Sequence, residues 1–130
     1  MFLVDTNVLS ELVRPRPAPK VVHWAAGLER MTLSAVTLEE VWYGLNLRPS
    51  ARVERWLEAF LGSHCDVLSV TPAVARRAGS LRGQLARQGH TRTQADMLIA
   101  ATAQEHGLTL ATRNVRDFVA CGIQVVNPFT

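Results

Sequence analysis

The sequence lacks any apolar run long enough to cross a bilayer, and it contains few cysteines. No apolar stretch approaches the roughly 18 to 20 residues that a transmembrane helix needs. The N-terminus also lacks the basic start and the small-residue cleavage site of a secretory signal. We therefore expect a cytoplasmic protein with no membrane partner. Cys65 and Cys121 stand alone, without a CxxC pair or a Cys/His cluster, which argues against a zinc site and, in a reducing compartment, against a disulfide.

Lysine is almost absent. Of the 14 basic residues only Lys20 is a lysine, and the net charge is +3. If four of the 11 acids converge in one pocket, seven acids remain on the surface against all 14 bases. Such a surface attracts a polyanion, and the planar fork of arginine suits phosphate in particular. An ordinary solvated basic surface explains the charge alone equally well.

The 130 residues predict one α/β domain spanning residues 1–130, because short apolar strands alternate with amphipathic helices. Strands separated by helices indicate a mostly parallel sheet of about five strands, covered by helices on both faces in three layers. The functional crevice of such a sheet lies beyond the carboxyl ends of its strands. The predicted strands are 2–4, 31–36, 66–70, 108–112 and 123–126. The predicted helices are 7–13, 21–28, 37–47, 50–61, one from Pro72 to a stop at Gly89, 94–106 and 115–120.

Four acids lie near the ends of these strands or in the first turns of the helices beside them: Asp5, Glu40, Asp96 and Asp117. Helix capping explains three of them, because Thr37-x-x-Glu40 has capping-box spacing, and Thr93-x-x-Asp96 and Asn114-x-x-Asp117 resemble it. Asp5 differs, since a carboxylate that directly follows a buried strand must be capped, paired or metal-bound to offset its desolvation. Capping and metal binding are compatible, because the backbone of a residue can start a helix while its carboxylate points into the crevice.

Several carboxylates at one site repel each other unless a cation lies among them or some are protonated. No His, Cys or Lys is tied to this cluster, which argues against soft metals and against a side-chain nucleophile. Oxygen ligands alone select Mg²⁺, with Mn²⁺ as a second option. In a protein with a basic exterior, such a site suits hydrolysis of a phosphodiester by metal-activated water.

Four stretches resemble the PIN-domain ribonucleases, and more narrowly the VapC/FitB-type toxins of type II toxin–antitoxin systems. They are LVDTNVLSEL (3–12), LSAVTLEEVWYGL (33–45), ADMLIAATAQEHGLTLATRNVRDF (95–118) and VVNPF (125–129). They occur in the order of the family and span nearly the whole chain. The resemblance implies a PIN-like fold and an Mg²⁺-dependent endoribonuclease, a hydrolase acting on RNA.

The resemblance also implies the metal ligands. Asp5, Glu40 and Asp96 match the first three acids of the family. The fourth acid is either Asp117 or the residue at the position of Asn114, which is Asp in some relatives; we assign Asp117. The residues that support the metal site would be Thr6, Asn7, Thr112 and Asn114.

The resemblance further implies a cognate antitoxin that masks the pocket, and a homodimer. Operator DNA would be reached only indirectly, through the antitoxin. A second hypothesis is a catalytically impaired module that binds RNA or an antitoxin–DNA complex without turnover, which Asn114 would favour. A third is a haloacid-dehalogenase-type phosphatase, which also begins with an Asp at a strand end. That site expects an acid two residues later, where this chain has Asn7.

Overall fold

The computed structural model describes all 130 residues, and its strands and helices alternate as the apolar pattern predicts. The strands are β1 (Phe2–Val4), β2 (Met31–Ser34), β3 (Cys65–Leu68), β4 (Thr109–Ala111) and β5 (Val125–Val126). The helices are α1 (Thr6–Leu12), α2 (Pro19–Ala26), α3 (Ala35–Leu47), α4 (Ala51–Ser63), α5 (Pro72–Arg87), α6 (Gln94–His106) and α7 (Val115–Phe118). A 3-10 turn, Val119–Cys121, follows α7. None of the helices has the length and apolar character needed to span a membrane.

The five strands form one parallel sheet in the order β3-β2-β1-β4-β5, which confirms the predicted architecture. The chain builds outward from β1 to β2 and β3, and then returns to place β4 on the other side of β1. The strand order therefore reverses between β1 and β4, where Leu3 pairs with Leu110 and Val4 with Ala111. Ligands of open parallel sheets bind beyond the carboxyl ends of the strands at such a reversal.

Two apolar cores lie on opposite faces of the sheet. Leu3 belongs to one core and its neighbour Val4 to the other, and both are fully buried. Successive side chains of a strand point to opposite faces, so this pair shows that β1 is covered on both sides. Helices α5, α6 and α7 contribute to the core around Leu3, whereas α1, α2 and α4 contribute to the core around Val4. The three layers follow from this arrangement.

The strand boundaries differ from the prediction at β2 and β3. The predicted strand 31–36 ends at Ser34, because the Ser34 hydroxyl accepts a hydrogen bond from the Val36 amide at 3.0 Å and starts α3. Strand β3 then ends at Leu68, which pairs with Ser34, so the predicted continuation to residue 70 has no partner. Strand β5 is likewise limited to Val125–Val126.

The proline-rich connector after α1 is anchored rather than loose. Helix α1 ends at Leu12, and the buried carboxylate of Glu11 accepts a hydrogen bond from the Ala18 amide at 2.8 Å across the connector. Pro19 occupies the first turn of α2, where proline is tolerated because its missing N–H has no partner in a helix. The start of α2 is thereby fixed relative to α1, which begins at the sheet edge.

Candidate active site

Asp5 lies at the carboxyl end of β1, where the strand order reverses, and only 4% of it is exposed. Its Oδ1 accepts a hydrogen bond from the Thr6 amide at 2.8 Å, so the residue also caps α1. Its Oδ2 accepts hydrogen bonds from the Thr112 hydroxyl at 2.7 Å and from the Asn7 side-chain amide at 3.3 Å. Three donors therefore offset the desolvation of this carboxylate and fix its direction.

Thr112 and Asn7 connect the ends of β1 and β4. Thr112 is fully buried, and its hydroxyl also accepts hydrogen bonds from the Asn7 side-chain amide at 3.3 Å and from the Asn114 amide at 3.0 Å. Asn7 uses its Oδ1 to accept from the Arg113 amide at 3.1 Å. The predicted supporting residues Thr112 and Asn7 thus contact Asp5, whereas Asn114 reaches this network through its backbone.

Glu40 is joined to Asp5 through Thr6. The Thr6 hydroxyl donates to Oε1 of Glu40 at 2.6 Å, while the Thr6 amide donates to Asp5. The predicted capping box at Thr37 is wrong, because Ser34 caps α3 and Glu40 therefore lies in the second turn of that helix. Thr37 is instead fully buried, with its hydroxyl 3.5 Å from that of Thr6. A capping role no longer accounts for Glu40.

Asp96 lies in the first turn of α6, as predicted, and Thr93 caps this helix. The Thr93 hydroxyl accepts a hydrogen bond from the Asp96 amide at 3.1 Å. Burial and the charge of Asp5 raise the pKa of Asp96, and the charges of Asp117 and Glu40 raise it further. A hydrogen bond of the Thr93 side chain to the Asp96 carboxylate lowers this pKa and opposes the rise. The charges of all three other predicted ligands thus act on the Asp96 carboxyl.

Asp117 lies in the short helix α7, and the predicted capping box at Asn114 is wrong. The Asn114 side chain makes no capping hydrogen bond, and only its carbonyl oxygen accepts from the Asp117 amide, at 3.1 Å. Asp117 is partly buried and acts on Asp96 through its charge, whereas Asn114 is exposed. The Asp117 carboxylate therefore belongs electrostatically to the acidic cluster.

Sequence reasoning missed Arg92, which holds α7 in place. Its Nε donates to the Asp117 carbonyl oxygen at 3.2 Å, and its Nη1 donates to the Thr91 carbonyl oxygen at 3.2 Å. Arg92 binds the backbone at Asp117 without forming an ion pair with its carboxylate. No sequence signal marked this role, because the contact joins the loop before α6 to helix α7, 25 positions away along the chain.

The pKa values of Asp5 and Asp96 are set by burial, hydrogen bonds and the charges of other acids, with no basic side chain contributing. Burial raises the pKa of Asp5, the hydrogen bonds from Thr112, Thr6 and Asn7 lower it, and the charge of Glu40 adds to the rise. The charges that act on Asp5 and Asp96 are all carboxylates. In this conformation, however, no group of three or more His, Cys, Asp and Glu side chains is close enough to hold a metal ion. Mg²⁺ is usually bound through only one or two carboxylates and keeps several waters.

Comparison with known proteins agrees with this geometry. The model of the PIN domain family matches residues 2–121. Toxin FitB of Neisseria gonorrhoeae is 36% identical to this chain over 99% of both chains. The crystal structure of FitAcB from that organism matches with a TM-score of 0.86 at 35% identity, also over 99% of both chains. The tRNA(fMet)-specific endonuclease VapC of Shigella flexneri is 35% identical over 93% of this chain and 92% of its own. A toxin–antitoxin complex from Klebsiella pneumoniae matches with a TM-score of 0.78 at 28% identity, over 98% of both chains.

Proposed function

The chain belongs to the PIN-domain family, among the VapC ribonucleases and FitB toxins, and we propose that it is a toxin that hydrolyses RNA with a divalent metal ion. It would act in the cytoplasm as an endoribonuclease, and its inhibitor would be a cognate antitoxin. The relatives named as ribonucleases support a nuclease, and the relative solved as a toxin–antitoxin complex supports an antitoxin partner. The alternative of a binding module without turnover is not favoured.

The observation that carries this proposal is the set of charges around Asp96. Three carboxylates, Asp5, Asp117 and Glu40, all oppose its ionisation, and burial adds to their effect. Like charges held at one sheet edge destabilise the fold unless a cation or a proton offsets them. The position of the cluster at the reversal of strand order fits a binding site better than a structural role.

The residues present fit a hard divalent cation. The four acids offer only oxygen ligands, which suits Mg²⁺ or Mn²⁺ and disfavours metals that prefer nitrogen or sulfur. We propose Asp5, Glu40, Asp96 and Asp117 as the ligands, with Thr6, Asn7, Thr112 and Asn114 in support. A bound ion would activate water and offset the charge that develops on the scissile phosphate.

The chain itself would aim the acids. The donors from Thr6, Asn7 and Thr112 favour the charged form of Asp5, and the Thr6 hydroxyl fixes the direction of the Glu40 carboxylate. Thr93 fixes the first turn of α6, and with it the position of Asp96. Arg92 holds the backbone of α7, and with it Asp117. The four acids thus come from four places in the fold: the end of β1, α3, α6 and α7.

The proposed partners are RNA as substrate, a second copy of the chain in a homodimer, and the antitoxin. Operator DNA would be contacted through the antitoxin only. An antitoxin that masks the acids would explain how a cell tolerates the nuclease.

Cleavage of single-stranded RNA by the purified chain tests the proposal. We expect cleavage with Mg²⁺ or Mn²⁺, none with EDTA, and none by Asp96→Asn, which keeps the shape of the side chain but removes its charge. Glu58→Gln is the matched control, because Glu58 is an exposed acid on α4 that forms no ion pair. Metal-dependent cleavage that survives Asp96→Asn in a folded protein would overturn the proposed site.

A further inference from the structure

A cleft opens next to the end of β5, and it is separate from the four acids. It has a volume of about 490 Å³ and lies between α2 and the segment that follows β5. Its walls include Lys20, His23 and Trp24 from α2, and Asn127, Pro128 and Thr130 from the end of the chain. None of the four acids lines it.

The wall of the cleft that follows β5 lies at the same edge of the sheet as Asp5. Asn127 directly follows β5, whose last residue, Val126, accepts a hydrogen bond from the Thr112 amide at 2.9 Å. In a parallel sheet the residues that follow neighbouring strands share one edge. A nucleic acid strand that passes over the acids can therefore continue into the cleft.

A chain of contacts joins the cleft to the acids. Asn7, which donates to Asp5, accepts from the Arg113 amide. The guanidinium of Arg113 lies over the Phe129 ring, 4.6 Å from its centroid, and the Phe129 amide donates to Oδ1 of Asn127 at 2.9 Å. The segment after β5 is thus fixed relative to the acidic cluster, with one cation between the two sites.

The chemistry of the cleft is opposite to that of the acidic cluster. Lys20 is the only lysine of the chain, is exposed, and forms no ion pair. His23 adds an imidazole, and no Asp or Glu side chain lines the cleft. Trp24 is half-buried, and its ring packs edge-on against Phe2 with centroids 5.3 Å apart, so the indole is held in place. A cation beside a fixed aromatic ring is the combination that binds single-stranded nucleic acid.

We propose that this cleft is a nucleotide-binding subsite, which takes a nucleotide of the RNA strand next to the one whose phosphate is cleaved. Lys20 contacts a phosphate and Trp24 stacks against a base. Arg113 contacts the backbone between the cleft and the acids. The inference rests on the proposed function, because it assumes that the ligand is single-stranded RNA.

The single lysine allows a direct test. A short single-stranded RNA whose 3′-terminal ribose has been oxidised to a dialdehyde forms an imine with a nearby amine, and cyanoborohydride reduces the imine to a stable bond. We expect the full chain in EDTA to become crosslinked at Lys20, as identified by peptide mass. Lys20→Arg keeps the charge but removes the amine, so it should bind RNA normally and lose this crosslink. A crosslink confined to the amine of Met1, or none, would overturn the subsite.

Fluorescence anisotropy with the same RNA, unoxidised and in EDTA, provides the second measurement. Lys20→Gln and Trp24→Leu should each weaken binding about tenfold. Arg87→Gln on α5 removes one charge from an exposed position on the other side of the sheet and should change binding little. Equal losses in Lys20→Gln and Arg87→Gln would mean diffuse attraction and would overturn the subsite.

These measurements separate the two proposals, because binding in EDTA does not depend on turnover. Metal-dependent cleavage together with unchanged RNA binding by Lys20→Gln would reject the subsite and leave the proposed function intact. Crosslinking at Lys20 in a chain that cleaves no RNA with any divalent ion would reject the proposed function and leave the subsite intact. Lys20→Gln also avoids the folding risk of Trp24→Leu, since Lys20 is exposed.

Discussion

The hydroxyl of Thr112 donates a 2.7 Å hydrogen bond to Oδ2 of Asp5, across 107 positions of the sequence. One residue follows β4 and the other follows β1, so the bond crosses the point where the strand order reverses. Thr112 is fully buried, which protects the bond from water. The direction of the Asp5 carboxylate therefore depends on the correct pairing of β1 with β4.

Replacing Thr112 with Val should destabilise the protein and move the acid limb of its pH–activity profile to higher pH. Val keeps the shape but removes the donor, which leaves a buried carboxylate short of one hydrogen bond. We expect a loss of about 1.5 to 3 kcal/mol in the free energy of unfolding, measured by denaturant titration. Loss of this donor also raises the pKa of Asp5, so the rate should begin to fall at a higher pH.

The control for this substitution is Thr109→Val in β4, the strand that Thr112 follows. The Thr109 hydroxyl makes only a 3.4 Å exposed contact with Gln124. We expect a small change in stability and no change in the pH profile. An unchanged pH profile for Thr112→Val in a folded protein would contradict the role assigned to the hydrogen bond.

Thr93→Ala and Thr71→Ala form a matched pair. Each threonine hydroxyl caps a helix by accepting a hydrogen bond from the backbone amide three residues later. Thr93 accepts from Asp96 at 3.1 Å, and Thr71 accepts from Val74 at 3.1 Å. Both changes should cost about 1 kcal/mol of stability. Only Thr93→Ala should also move the acid limb of the cleavage rate to higher pH, because the Thr93 side chain also forms a hydrogen bond to the Asp96 carboxylate that lowers its pKa. Equal pH profiles for the two variants would contradict this assignment.

The sequence predicts the order of strands and helices well, because that order follows from apolar periodicity. It also places Asp5, Thr112 and Asn7 at one edge, because parallel strands end on the same side. The helix start at Ser34 was missed, since Ser34 and Thr37 are both good capping residues and only the pairing of β2 with β3 decides between them. The contact of Arg92 with the Asp117 backbone could not be predicted, because it depends on how the loop before α6 packs against α7.

The fourth acid can be assigned by two substitutions. Asp117 acts on Asp96 through its charge, whereas the exposed Asn114 contributes its backbone to Thr112. We expect Asp117→Asn to weaken Mn²⁺ binding about tenfold or more, measured by calorimetry, and to raise the Mg²⁺ concentration needed for cleavage. Asn114→Ala should change both measurements little. The opposite ranking of the two variants would assign the fourth position to Asn114.

Removing the charge of Asp96 should stabilise the metal-free protein at neutral pH. Burial and neighbouring carboxylates raise the pKa of both Asp5 and Asp96 above the ordinary value of 3.8. A carboxyl whose pKa is raised by folding stabilises the native state below its unfolded pKa, and this stability is lost as the pH rises through the folded pKa. At pH 7 both groups therefore lower the stability of the metal-free fold, and a bound cation would relieve this.

Thermal melts of Asp96→Asn and of the unchanged chain, in EDTA and in Mg²⁺, measure this effect. In EDTA at pH 7 we expect a higher Tm for Asp96→Asn, by roughly 4 °C for each kcal/mol of repulsion removed in a domain of this size. The difference should shrink as the pH approaches 4, because the native carboxyl then becomes protonated and loses its repulsion. Mg²⁺ should raise the Tm of the unchanged chain more than that of Asp96→Asn, since the variant has lost one ligand.

The exposed acid Glu58 provides the control, because Glu58→Gln should leave both comparisons unchanged. A lower Tm for Asp96→Asn in EDTA at pH 7 would mean that its carboxylate stabilises the metal-free fold, contrary to the repulsion from which the metal site is inferred.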